Sequence, residues 1–96
     1  MEKIIIIREK VVDWMGHYVY ILRCADETLY TGYTTDLDRR VKEHNQGQGA
    51  KYTRGRKPVE LVYSEEYRTR SSAQKREYEI KTYSRQKKLD LVKNSS

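Results

Sequence analysis

Tyr20, Tyr30, Arg40, His44 and Glu77 are the side chains of this 96-residue chain whose types and spacing suggest chemistry. On a helical reading of residues 71–82, Ala73, Glu77 and Ile80 follow i, i+4, i+7 spacing, so a carboxylate occupies the face expected to be buried. A buried charge is costly unless it is paired or binds a metal. An ordinary ion pair with Arg40, Arg76 or Lys81 would satisfy it, and so would a divalent cation. His44 shares a helix face with Leu37 and Val41, and Arg40 lies at the edge of that stripe. Alone, His44 reads as a packing or helix-end histidine, and Tyr20 and Tyr30 as ordinary strand aromatics. Together, two tyrosines, an arginine, a histidine and a glutamate form a metal-plus-base constellation suited to phosphoryl chemistry.

The elements that must position them follow from local pattern. His17–Arg23 is rich in β-branched and aromatic residues, with Tyr18, Tyr20 and Leu22 on one face and Val19 and Ile21 on the other. Residues 25–27 read as a turn and 28–33 as the returning strand, in which Gly32 marks a bulge or a close backbone approach. Thr35 is expected to cap a helix over 36–45, with Gly47 ending it. Residues 46–58 read as a Gly-rich loop carrying Lys51, Arg54, Arg56 and Lys57 without an acid between them. A third strand is expected over 59–65. Ser71 resembles the start of a capping box for a second helix, and Ser84 could cap a last one. The order strand-strand-helix-strand-helix-helix predicts an α+β fold, a small three-stranded mainly antiparallel sheet flanked by helices.

Length allows one small domain. Lys and Arg number 20 against 14 Asp and Glu, a net charge of +6 that favours polyanions, nucleic acid ahead of an acidic membrane surface. There is no Phe, but nine Tyr are available for core, chemistry or base stacking. The single cysteine, Cys24, excludes an intramolecular disulfide and a cysteine-rich zinc site, and reads as a packed thiol in a reducing, cytoplasmic setting. The isoleucine run at residues 4–7 is too short for a membrane span or a convincing signal peptide, and is either an added strand or part of an extension.

Tyr18-Val19-Tyr20 and, after nine intervening residues, Tyr30-Thr31-Gly32 resemble the two halves of the GIY-YIG signature. The segment from Thr34 to Asn45, with Arg40 and His44, resembles the arginine helix of that nuclease family, and Glu77 matches its metal-binding carboxylate. The loop Gly49-Ala50-Lys51-Tyr52-Thr53-Arg54-Gly55 is similar to that of its small stand-alone bacterial members. Tyr18 stands where the family has its leading Gly, and Thr31 where it has an Ile. The resemblance covers residues 17–93, leaving 1–16 as an extension and 94–96 as a tail. It implies an endonuclease that hydrolyses phosphodiester bonds with one Mg²⁺ or Mn²⁺ and with low sequence specificity. Glu77 would hold the cation, Arg40 the scissile phosphate, Tyr20 or Tyr30 would act as base (Tyr20 favoured, with Tyr30 then orienting water or phosphate), and His44 would hold phosphate or share proton transfer. Lys51, Tyr52, Arg54, Arg56 and Lys57 would track the backbone of nucleic acid, DNA favoured over RNA, in a monomer that needs no membrane. The alternatives are a non-catalytic nucleic-acid-binding module on the same scaffold and a domain that only recruits protein partners.

Overall fold

The computed structural model describes residues 16–94; the isoleucine run and most of the proposed extension lie outside them. Strand β1 (His17–Arg23) is the centre of a three-stranded sheet in the order β2-β1-β3, with β2 at Leu29–Thr34 and β3 at Glu60–Tyr67. Both pairings are antiparallel. The β1–β2 register sets Tyr20 opposite Gly32 and Leu22 opposite Tyr30. Against β3 the register shifts between Ile21 and Leu22.

The alternation along β1 feeds two separate cores. Val19 and Ile21 pack with Tyr67, Ala73 and Ile80 on one face; Tyr20 and Leu22 pack with Cys24 and Val59 on the other. Helix α1 (Leu37–Asn45) contributes Leu37 and Val41 to the second core. Helix α3 (Arg70–Lys81) and helix α4 (Arg85–Lys93) cover the first, through Ala73 and Ile80 and through Leu91 and Val92. Because the sheet is covered on both sides, Val19, Tyr20, Ile21 and Leu22 are all buried. Cys24 is a buried free thiol, as its sequence context suggests.

The helix starts differ from expectation by one or two residues. Asp36, not Thr35, caps α1: its Oδ1 accepts from the Arg39 amide at 3.1 Å, while the Thr34 hydroxyl accepts from the Asp36 amide at 3.1 Å. Thr69, not Ser71, caps α3, accepting from the Ser72 amide at 3.1 Å. In both cases a nearby side chain of equal capping ability reaches the third amide first. Ser84 caps α4 as expected, through the Lys87 amide. The segment read as a loop contains a helical turn, α2 (Lys51–Arg54). Strand β3 runs on to Tyr67 because Glu65 is held there: it accepts from the Tyr63 and Tyr67 hydroxyls and from both Nε and Nη2 of Arg76. Arg76 also reaches Glu79 and Tyr83, so this polar network ties α3 to the sheet.

Candidate active site

Tyr20 and Gly32 face each other across the β1–β2 pair, and the tyrosine ring lies directly over the glycine. A Cβ at residue 32 would sit 2.5 Å from the Tyr20 hydroxyl, so only glycine admits the ring there. Its hydroxyl is thereby aimed at α1, where it meets His44 Nε2 at 2.9 Å. Tyr30, one pair along on the same face, packs edge-on against the His44 ring with centroids 5.3 Å apart.

His44 is fully buried at the C-terminal turn of α1, and its other nitrogen meets the Thr53 hydroxyl at 2.7 Å. Thr53 is also fully buried, and its hydroxyl donates to the Ala50 carbonyl at 3.0 Å. With its proton given to Ala50, the hydroxyl can accept from Nδ1–H, the tautomer that puts the ring's lone pair on Nε2, facing Tyr20. The Ala50 amide, 3.4 Å from the same Nδ1, favours the other tautomer, through a longer contact. Gly49 makes this closure feasible: a Cβ there would sit 2.3 Å from Nδ1. Helix α2 therefore closes over His44.

Electrostatics sharpen the picture. Burial pushes the Tyr20 phenol up to about 12; a hydrogen bond from Arg40, and then its positive charge, work against that rise, while Tyr30 and Glu77 add to it. Burial and then the Arg40 charge hold His44 below the usual imidazole value, so the ring is neutral at pH 7. Arg40 donates to Glu43 at 2.9 Å through Nη1 and keeps a buried Nε–H with no acceptor among the described residues. That orphan donor suits an incoming anion.

Glu77 is not sunk in the apolar face of α3. Ala73 and Ile80 are buried, but the Glu77 side chain is 19% exposed, and Lys81 Nζ lies 3.0 Å from its Oε2. Of the three pairing candidates, Arg76 is committed to Glu65 and Glu79, and Arg40 to Glu43. The other Glu77 oxygen has no ion-pair partner among the described residues. A single hard carboxylate fits Mg²⁺ or Mn²⁺, which take few protein ligands and complete their shells with water and phosphate. No group of three His, Cys, Asp or Glu suited to a metal occurs among the described residues.

The profile of the GIY-YIG catalytic domain matches residues 16–90. The chain belongs to the GIY-YIG family. It is 65% identical over 78 residues to a UPF0213 protein of Staphylococcus aureus strain Mu50, a match covering 81% of this chain and 95% of that one. It is also similar to two proteins solved by NMR in solution. One is the UPF0213 protein BH0048 from Bacillus halodurans, at 54% identity and TM-score 0.55, covering 82% of this chain and 84% of that one. The other is EF2693 from E. faecalis, at 47% identity and TM-score 0.56, covering 80% and 82%. GIY-YIG domains form a nuclease superfamily, which supports a hydrolase-type site that engages nucleic acid.

Within this GIY-YIG domain Tyr20, Tyr30 and His44 come together as a contact cluster, and both Arg40 and Glu77 lie within electrostatic reach of Tyr20. The basic segment is more ordered than its composition suggests. Lys51 and Arg54 are exposed on α2, and Lys57 is exposed beyond it. Arg56 is committed: it bonds Asp26 at 3.0 Å and the Tyr52 carbonyl at 2.8 Å, and its guanidinium lies 4.1 Å from the Tyr52 ring centroid. Tyr52 in turn stacks on Tyr30, with centroids 5.8 Å apart. The residues missed from sequence are Thr53 and Gly49, which hold His44. No local pattern marks this role, because both lie in a segment read for its charge. No helix among the described residues is long and apolar enough to cross a membrane.

Proposed function

We propose that this protein is a metal-dependent endonuclease that hydrolyses phosphodiester bonds of nucleic acid with low sequence specificity. The observation that carries the reading is the buried chain Tyr20–His44–Thr53, a tyrosine hydroxyl 2.9 Å from an imidazole held below its usual pKa and gripped from behind by Thr53. A phenol raised to about 12 is a poor base at pH 7 unless its own proton has somewhere to go. His44 Nε2 provides that place. As water attacks phosphorus, its proton passes to the Tyr20 oxygen and the Tyr20 proton passes to Nε2, while the bond from phosphorus to the leaving sugar oxygen breaks and that oxygen takes a proton from solvent water. Arg40 stabilises the phenolate character and, through its unused donors, the negative charge building on the phosphoryl oxygens. Thr53 holds the imidazole, and the imidazolium formed loses its proton to solvent when the products leave. Glu77 would hold the divalent cation, which when bound neutralises phosphate charge and lowers the pKa of water. Lys51, Arg54 and Lys57 supply sequence-independent backbone contacts, consistent with low specificity. Tyr52, whose ring is engaged by Tyr30 and Arg56, would present its exposed edge to the bound strand.

The competing reading, a binding module without catalysis, draws on the Glu77–Lys81 pair, since an ammonium already occupies one carboxylate oxygen. Incubating the pure protein with labelled single- and double-stranded DNA and RNA, with Mg²⁺, Mn²⁺ or chelator, separates the two. Cleavage abolished by chelator is expected; binding without cleavage under every metal would establish the module instead.

A further inference from the structure

Beyond the catalytic cluster, a cleft of about 230 Å³ opens at the start of β2, lined by Thr28, Leu29, Tyr52, Tyr83, Arg85 and Lys88. It borders the candidate active site, because Tyr52, which forms part of its lining, stacks on Tyr30. Helix α4, to which the sequence reading assigned no chemistry, supplies its basic residues. Arg85 is held in place by a 2.7 Å bond from Nη1 to the Glu27 carbonyl. Lys88 is half-buried, and no carboxylate pairs with it among the described residues. Burial, followed by the like charge of Lys81, lowers the Lys88 pKa. An anion beside Lys88 would relieve both effects, since each disfavours an uncompensated ammonium. Asp26 and Glu79 are already engaged, by Arg56 and by Arg76. Lys87 lies 4.2 Å from the Tyr83 ring centroid and adds positive charge on that side. Two tyrosine rings, a threonine and two cations around a space of this size match a planar heterocycle joined to a phosphate.

We propose that this cleft is a nucleotide subsite, taking one base of the bound strand among Tyr52, Tyr83 and Leu29 and its phosphate at Lys88 and Arg85. The inference rests on the nuclease reading for its ligand class and adds to it the position of a nucleotide flanking the scissile bond. It places α4 in substrate binding and gives the strand a path from the Tyr20 cluster past Tyr52 to the C-terminal helix.

The test uses the full chain, ¹⁵N-labelled, in chelator, titrated with thymidine 5′-monophosphate and adenosine 5′-monophosphate, with thymidine and inorganic phosphate as separate arms. The amides of Thr28, Leu29, Tyr83 and Lys88 are expected to shift with the mononucleotides. Thymidine or phosphate alone should bind about tenfold more weakly, as should either mononucleotide to Lys88→Ala, the scale of one charge-assisted hydrogen bond. Lys88→Gln, which keeps the side-chain length, should show the same loss. No shifts, shifts confined to the surroundings of Arg40 and His44, or undiminished affinity in both Lys88 variants would overturn the subsite. A mononucleotide has no internucleotide bond to cut and chelator is present, so the outcome is independent of hydrolysis. Cleavage with Mg²⁺ but no mononucleotide shifts removes the subsite alone. Shifts at the cleft without cleavage under any metal remove the nuclease reading alone.

Discussion

The Tyr20 hydroxyl lies 2.9 Å from His44 Nε2, although the two residues are 24 positions apart and sit on different elements. Both side chains are sheltered in the free protein: Tyr20 is 1% exposed and His44 is 0% exposed. A contact this sheltered is either structural or catalytic, and substitution distinguishes the two.

Tyr20→Phe keeps the ring over Gly32 and removes the proton acceptor. General-base catalysis typically contributes 10²–10⁴-fold, so cleavage should fall by about that factor. The His44 Nε2 left unpaired should cost about 1–3 kcal/mol in a urea melt. Tyr30→Phe should cut far better than Tyr20→Phe. The reverse order would move the base to Tyr30.

Thr53→Val is nearly isosteric but leaves His44 Nδ1–H without its acceptor. The ring is then free to take the other tautomer, with the proton on Nε2, which cannot receive a proton from Tyr20. Cleavage at saturating substrate should drop by at least about tenfold, with nucleic-acid affinity unchanged. Thr53→Ser restores the hydroxyl and should restore the rate. A Val variant that unfolds partly but cuts at the wild-type rate per folded molecule would make Thr53 purely structural.

Stability should depend on pH through His44. Its folded pKa lies below the unfolded value of about 6.5, so between the two the unfolded chain binds more protons. Stability therefore rises with pH through that window and is lost as pH falls below about 6.5. Glu65, Asp26 and Glu79 are lowered carboxylates, whose contributions are lost only as pH falls below about 4.5. Thermal melts at pH 7 and pH 5 should show a drop for the wild type and a smaller one for His44→Gln. An equal drop in both would assign the effect to other groups. Cleavage should fall over the same acid range, because a protonated imidazole cannot accept the Tyr20 proton.

Glu77→Gln breaks only a half-exposed pair with Lys81 one helical turn away, a pair of a kind typically worth about 0.3–0.5 kcal/mol. Its melting temperature should stay close to that of the wild type. Metal-titrated cleavage should be lost, since a neutral amide is a poorer ligand for Mg²⁺ than a carboxylate. Nucleic-acid binding in chelator should persist. Full cleavage by the folded variant would end the assignment of Glu77 as the cation's ligand.

The strands, the helices and the family were legible in the sequence because the signals are local. The alternation in His17–Arg23, the apolar spacing of the helices and the Tyr-x-Tyr and Tyr-x-Gly pair depend on neighbours a few residues away. The cap positions were misread by one or two residues because Thr35 and Asp36, or Thr69 and Ser71, are equally able to cap, and only the path of the incoming strand decides which does. Ala73 and Ile80 mark the buried face of α3 correctly, yet Glu77 between them stays partly exposed at 19%. Helical spacing gives an angle, whereas burial depends on how far the sheet extends under the helix. The deepest part of the site was invisible for the same reason. Thr53 and Gly49 sit in a segment whose charge dominates its composition, and nothing local says that a small helical turn folds back onto a histidine nine residues before Thr53. That closure depends on packing: α2 has to land on the face that α1 and the Tyr20–Gly32 pair leave open, and only then do a hydroxyl, an imidazole and a phenol fall into one line.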